Sequence, residues 1–226
     1  MKRIKSTLLI IALLQIFSFQ LSAQKKFELN DMDKLYTLTD PQISPDGKSV
    51  LIVVSKPDTT TNKNKSFIYK VDVESGAAQQ LTFERTLVSY PRWSPSGNAI
   101  AFIAADVTAK AQIFLLSMNG GEAKKITGAA AGVTQFEWSP DGTAFAFVQQ
   151  DEVLNKKMIE KGYDGFEIKY NSMFMNARPT PSHLWVISID SGEAKKLTAG
   201  NWTVPAGAPN SFSWSPDGKN IILQSN

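Results

Sequence analysis

Four stretches of the chain share one pattern of apolar and polar positions. In residues 41–53 (PQISPDGKSVLIV), 91–103 (PRWSPSGNAIAFI), 136–147 (FEWSPDGTAFAF) and 212–223 (FSWSPDGKNIIL), an apolar run is broken by Ser-Pro-(Asp/Ser)-Gly and then resumes. Period-two alternation beside the break, as at Ile100 and Phe102 or Phe145 and Phe147, predicts antiparallel strands with one dominant buried face, joined by a tight turn. Proline pre-sets φ at the second turn position, Asp or Ser tolerates the third, and glycine accepts positive φ to rejoin the strand, as in a type I turn followed by a bulge. The turn residues are therefore Pro45, Asp46 and Gly47; Pro95 and Gly97; Pro140, Asp141 and Gly142; and Pro216, Asp217 and Gly218.

A second hairpin signal interleaves with the first. IYKVDVESGAAQQLT (68–82), IFLLSMNGGEAKKIT (113–127) and LWVISIDSGEAKKLT (184–198) each join an alternating strand, a glycine turn and a short strand ending in Leu-Thr or Ile-Thr. Two hairpins make four strands in about 45 residues, the length of one propeller blade. The expected fold is all-β: a partial β-propeller of about three and a half four-stranded blades built on tandem Ser-Pro-Asp-Gly hairpins. Blades are expected over about 41–82, 90–127 and 134–198, with a partial one over 212–226. The Ser-Pro turns start at Ser44, Ser94, Ser139 and Ser215, 50, 45 and 76 residues apart, so the third blade carries an insertion, residues 151–181. The polar stretch 55–66 reads as a loop of the first blade. Trp93, Trp138 and Trp214 precede the turns, where a large apolar side chain suits packing between blades. A closed ring needs about four to eight blades, and a half-blade leaves an unpaired edge. The 41–226 propeller is thus incomplete, and the chain is expected to be a piece of a longer polypeptide.

The N-terminus follows other rules. MKRIK is a cationic segment, STLLIIALLQIFSF is apolar but shorter than the roughly 20 residues a spanning helix needs, and Ala23 is a small residue suited to cleavage. Residues 1–23 read as a signal peptide that leaves no stable membrane anchor once cleaved, so the mature chain is expected to be exported, periplasmic or secreted. With no cysteine there is no lipid attachment and no disulfide, and stability must come from packing. Residues 24–40 form a lead-in, helical or irregular over 26–40, with Asn30 and Asp33 as capping candidates.

Charge points to no polyanionic partner. The formal net charge of +3 equals the three basic residues Lys2, Arg3 and Lys5, and the remaining lysines are scattered, so no nucleic acid is expected to bind. One histidine, no cysteine and no Asp-x-Asp-x-Asp-Gly loop predict no metal site and no cofactor. His183, lacking a nucleophile and acid in sequence context, is read as structural, and no catalytic residue is assigned. The insertion departs from the blade pattern. Val153, Leu154 and Met158 suggest a short helix over Asp151–Lys161, and the aromatic- and methionine-rich remainder holds two candidate substrate contacts, Glu167 and Arg178.

The phrase WSPDG followed by alternating Ala and Phe, then HLWVISIDSGEAKKLT and WSPDGKNI, resembles the N-terminal propeller of the prolyl oligopeptidase family. The likeness is greatest to exported bacterial acylaminoacyl-peptidase or dipeptidyl-peptidase-like members, and it covers the chain from about Leu38 onward. The resemblance implies a propeller that gates and positions peptide substrates for a C-terminal α/β-hydrolase domain bearing a Ser-His-Asp triad. No Gly-x-Ser-x-Gly elbow occurs in this chain, so it is expected to be inactive alone. The alternative is a non-catalytic periplasmic propeller, like the Tol–Pal component, that binds protein or envelope partners.

Overall fold

The computed structural model describes residues 26, 28–153, 159–162, 180–205 and 211–224. The chain divides into two compact units, residues 1–35 and 36–226. In the first, Leu29–Lys34 is a short 3-10 helix preceded by Glu28, whose N–H donates to the Asp31 carboxylate at 3.0 Å. The cap is therefore Glu28 with Asp31, and the backbone of Asn30 and Asp33 lies within the helix, because the tight turn begins earlier than the sequence signal suggested. Residues 1–23 lie outside the described residues.

The second unit is a succession of antiparallel sheets, each ordered as in the sequence. The first contains β1 (Thr37–Ile43), β2 (Ser49–Asp58), β3 (Lys63–Asp72) and β4 (Ala78–Gln80). The second contains β5 (Ser89–Trp93), β6 (Ala99–Ala105), β7 (Ala111–Ser117) and β8 (Lys124–Lys125). The third contains β9 (Val133–Trp138), β10 (Ala144–Gln150), β11 (Ser182–Ser188) and β12 (Ala194–Lys196), and a final hairpin pairs β13 (Phe212–Trp214) with β14 (Ile221–Leu223). This is a partial β-propeller, three four-stranded blades and half of a fourth.

Two local expectations change. Strand β1 starts at Thr37, inside the predicted lead-in. Its alternation is broken by a bulge between Thr39 and Gln42, where Asp40 has φ of 51°, so the sequence pattern looks irregular there. The polar stretch 55–66 is mostly strand: Ser55 pairs with Ser66 and Asp58 with Lys63, leaving only a short turn at the tip. That end of the hairpin is solvated on both faces. The Ser55–Ser66 hydroxyl contact at 2.7 Å and the Lys65–Asp58 ion pair at 2.7 Å serve where apolar alternation is absent.

The core lies between the sheets. Leu51, Val53 and Ile68 of the first blade pack against Ile100, Phe102, Phe114 and Leu116 of the second. Ala101, Ile103 and Ile113 then meet Phe145, Phe147 and Ile187 of the third. Ala146, Val148 and Leu184 meet Phe212, Trp214, Ile221 and Leu223 of the last hairpin. Strands β6 and β10 are thus buried on both faces, not on one dominant face as the alternation implied. Large residues point to the preceding blade and smaller ones to the following blade, so neighbours interdigitate. Truncating Phe102 or Phe145, both fully buried, to alanine would cost about 3–5 kcal/mol.

The turns interlock. In the first, the Ser44 hydroxyl donates to Asp46 at 2.6 Å and accepts from the Ser49 N–H, while Asp46 accepts from the Lys48 N–H at 3.1 Å. Ser139 with Asp141 and Ser215 with Asp217 repeat this arrangement, and Ser94 with Ser96 and Asn98 is its variant. Each turn glycine has φ near 70°, where a side chain would be strained. Gly97 faces Pro45, Gly142 faces Pro95 and Gly218 faces Pro140, so each turn rests on the one before it.

Candidate functional site

Neighbouring sheets meet chiefly through their first strands, with β5 packed against β1, β2 and β3, and β9 against β5 and β7. Polar side chains cross these seams. The Arg92 guanidinium grips both oxygens of Asp40, at 3.0 and 2.8 Å, and lies 3.6 Å over the ring of Tyr90. The Ser211 hydroxyl donates to Gln135 Oε1 at 2.9 Å, and the Ser213 hydroxyl to Glu137 Oε1 at 3.1 Å. Burial pushes the Glu137 carboxyl above its usual range, although the Ser213 hydroxyl and the Trp214 backbone N–H oppose the shift. Its second oxygen, Oε2, is buried without a hydrogen-bond partner among the described residues. The ladder thus offers a guanidinium, two carboxylates, an amide and hydroxyls along adjacent first strands, a set suited to the donors and acceptors of a peptide backbone.

A second cluster sits at the root of the insertion. The Asp151 N–H donates to the Pro181 carbonyl at 2.8 Å and Gln150 Nε2 to the Thr180 carbonyl at 3.2 Å, holding the two ends of the segment together. The Asp151 carboxylate receives Lys196 Nζ at 2.6 Å and lies 3.3 Å from His183 Nε2, not aligned for a hydrogen bond. His183 is fully buried, with Nδ1 3.2 Å from the Thr198 hydroxyl and its ring edge-on to Trp202. Leu184 N–H also donates to that hydroxyl at 2.9 Å, so its own proton is free to point to Nδ1. The second blade does the same with Gln112, which accepts from Thr127 Oγ1 at 2.7 Å, while Ile113 N–H donates to Thr127. His183 therefore occupies a position that the repeat uses to tie the third strand to the threonine closing the fourth.

Glu167 and Arg178 lie outside the described residues, as does most of the helix read over Asp151–Lys161. The turn residues Pro45, Asp46, Gly47, Pro95, Gly97, Pro140, Asp141, Gly142, Pro216, Asp217 and Gly218 form the interlocking staircase. Among the described residues no group of three or more His, Asp or Glu side chains gathers as a metal cage would require. Sequence reading missed Asp40, Arg92 and Glu137. Aligning the repeats on their Ser-Pro pairs would have found two of these, because Gln42, Arg92, Glu137 and Ser213 all stand two residues before the serine.

Four-stranded sheets stacked face to face, with polar groups bridging their first strands, define a β-propeller domain. Residues 15–182 match the TolB beta propeller domain family (PD40), and the chain belongs to that family. It is 29% identical over 93 residues to the uncharacterized peptidase YuxL of Bacillus subtilis, a match covering 41% of this chain and 14% of that protein. Among solved structures, acylaminoacyl peptidase of Pyrococcus horikoshii superposes with a TM-score of 0.61 at 22% identity, covering 87% of this chain and 29% of that one. A putative TolB from Agrobacterium tumefaciens gives 0.53 at 24% identity, covering 83% and 59%. The chain spans well under a third of the peptidases it matches. Its propeller is related to those of peptidases and of TolB-like proteins.

Proposed function

We propose that this chain is the propeller part of an exported serine peptidase, where it admits and positions peptides for an α/β-hydrolase domain carried by the rest of the polypeptide. The observation that carries this reading is the sequence match to a peptidase, which extends over 93 residues of the repeat region. The polar ladder of Asp40, Arg92, Gln135, Glu137 and Ser213 supports it, since such groups can bond extended peptides of varied sequence. The propeller alone performs no hydrolysis in this reading, because one histidine and no Gly-x-Ser-x-Gly elbow cannot supply the triad. Residues 1–23 direct export and are removed after Ala23.

The test is to express the complete reading frame and this chain separately, and to assay both with N-blocked and free peptides of increasing length. Short peptides should be cleaved by the complete polypeptide alone, and a fluorophosphonate should label one serine in it. Intact mass of the exported product should place its first residue at Gln24.

A second reading, a non-catalytic periplasmic propeller that binds protein or envelope partners, draws on the TolB family match and on the 59% coverage of the Agrobacterium tumefaciens protein. A complete polypeptide that closes its ring without a labelled serine and hydrolyses nothing would select it.

A further inference from the structure

The last hairpin leaves both a sheet edge and an apolar groove unfilled. Pairing of Gln224 with Ser211 and of Ser215 with Asn220 sets the alternation of the β13–β14 ladder, so Ile222 bonds inward to β13. The backbone groups of Ile221 and Leu223 then point to the free side of β14, where no strand pairs among the described residues. Beside that edge runs a groove of about 680 Å3, floored by Leu184, Val186 and Leu197 of the third blade and walled by Trp214, Ile221 and Leu223. The indole Nε1 of Trp214 is buried there without a partner, whereas those of Trp93 and Trp138 are bonded.

The earlier blades reveal what fits. The residues equivalent to Leu184 and Leu197 are Ile68 and Leu81 in the first blade, and Ile113 and Ile126 in the second. Phe114 and Leu116, two residues apart on β7, share a core with Ile68 and Leu81. Trp185 and Ile187, two residues apart on β11, share one with Ile113 and Ile126. Each groove is filled by the third strand of the next blade, which also pairs with that blade's second strand.

We infer that the free side of β14 and the Leu184–Val186–Leu197 groove form an acceptor for a further strand of this same polypeptide, carrying a large aromatic or aliphatic residue and a second apolar residue two positions on. Continuity favours the same polypeptide over a second copy: the groove extends the core that already joins the third blade to β13–β14. Filling it also covers Leu197, now 45% exposed. The inference rests on the blade repeat alone and is independent of any peptidase activity.

The experiment joins a copy of residues 111–125, the third and fourth strands of the second blade, to Asn226 through a flexible linker. Amide exchange is then followed residue by residue by NMR. Exchange at Ile221 and Leu223 should slow by about tenfold or more, independently of protein concentration, while Ile222, already bonded inward, serves as the internal check that the hairpin is formed. Replacing Phe114 and Leu116 by aspartate in the appended copy, or Val186→Glu in the groove, should restore fast exchange. Unchanged exchange at Ile221 and Leu223 with Ile222 protected would overturn the inference. So would an unprotected Ile222 in the parent chain, or protection that rises with protein concentration, which would point to a second copy.

Discussion

The indole Nε1 of Trp93 donates to the carbonyl oxygen of Gln42, 3.1 Å away, across the seam between the first and second blades. Trp138 makes the same bond to the carbonyl of Arg92 at 3.3 Å. The tryptophan before each Ser-Pro turn thus fills space between sheets and also satisfies a carbonyl of the preceding first strand. Trp93→Phe keeps most of the ring but orphans that carbonyl, and should lower stability by about 1–2 kcal/mol in urea unfolding. Trp93→Ala adds a cavity, for a total of about 3–5 kcal/mol. Ile43 holds the equivalent position in the first blade and is 66% exposed, so Ile43→Ala should change stability by less than about 0.5 kcal/mol. Equal losses at Trp93 and Ile43 would sink the assignment of the cores to the spaces between blades.

The aspartates of the turns set part of the acid stability. Serine hydroxyls first, and main-chain N–H groups next, hold the Asp46, Asp141 and Asp217 carboxyls below their ordinary 3.8. A carboxyl whose value is depressed by folding contributes stability above its unfolded value and loses it as pH falls through the folded one. The triple variant Asp46→Asn, Asp141→Asn, Asp217→Asn should therefore show a shallower fall in urea midpoint than the parent between about pH 5 and pH 2. Ser96, which replaces the aspartate in the second blade, contributes nothing to this slope. Parallel midpoint curves for variant and parent would contradict the account.

Glu137 works in the opposite sense. Burial raises its carboxyl above the ordinary 4.5, so the folded state holds the proton more tightly than the unfolded chain does. Its contribution is fully present below the unfolded value and is lost as pH rises through the folded one. Glu137→Gln should be at least as stable as the parent at neutral pH, with any advantage fading below about pH 4.5. A variant less stable than the parent at pH 7 and equal to it at pH 4 would show that ionised Glu137 is held by contacts stronger than those to Ser213 and Trp214.

The architecture was readable because the same turn recurs, and because Pro, Asp and Gly at fixed offsets leave little conformational choice. What escaped the reading depends on neighbours. β1 was hidden by its bulge at Asp40, since one inserted residue scrambles the alternation that marks a strand. The outer part of the first hairpin, around Ser55 and Lys63, has no buried face and so no apolar signature. The two-faced burial of β6 could not be told from a one-faced strand, because Ala101 and Ala104 carry too little hydrophobic weight to register beside Phe102. The seam groups Asp40 and Arg92 stand 52 residues apart and become a pair only when two blades stack.

His183 allows the sharpest distinction between packing and chemistry. It stands where the second blade has Gln112, and both accept from the threonine hydroxyl that closes the sheet, at 3.2 Å from Thr198 and 2.7 Å from Thr127. A glutamine at 183 can accept that same bond through Oε1 and direct its amide toward Asp151 or a nearby carbonyl, as Gln112 reaches the Ala129 carbonyl at 2.8 Å. His183→Gln should therefore fold to within about 1 kcal/mol of the parent. His183→Ala opens a cavity and strands the Thr198 hydroxyl and the Asp151 carboxylate, a loss of about 2–4 kcal/mol. Lys196→Met, which takes the cation from Asp151, should instead shift stability by less than about 1 kcal/mol, since that pair is partly solvated. Thermal and urea unfolding of the three variants decide the matter: if glutamine proves as damaging as alanine, the imidazole has a task at this position that hydrogen bonding to Thr198 does not describe.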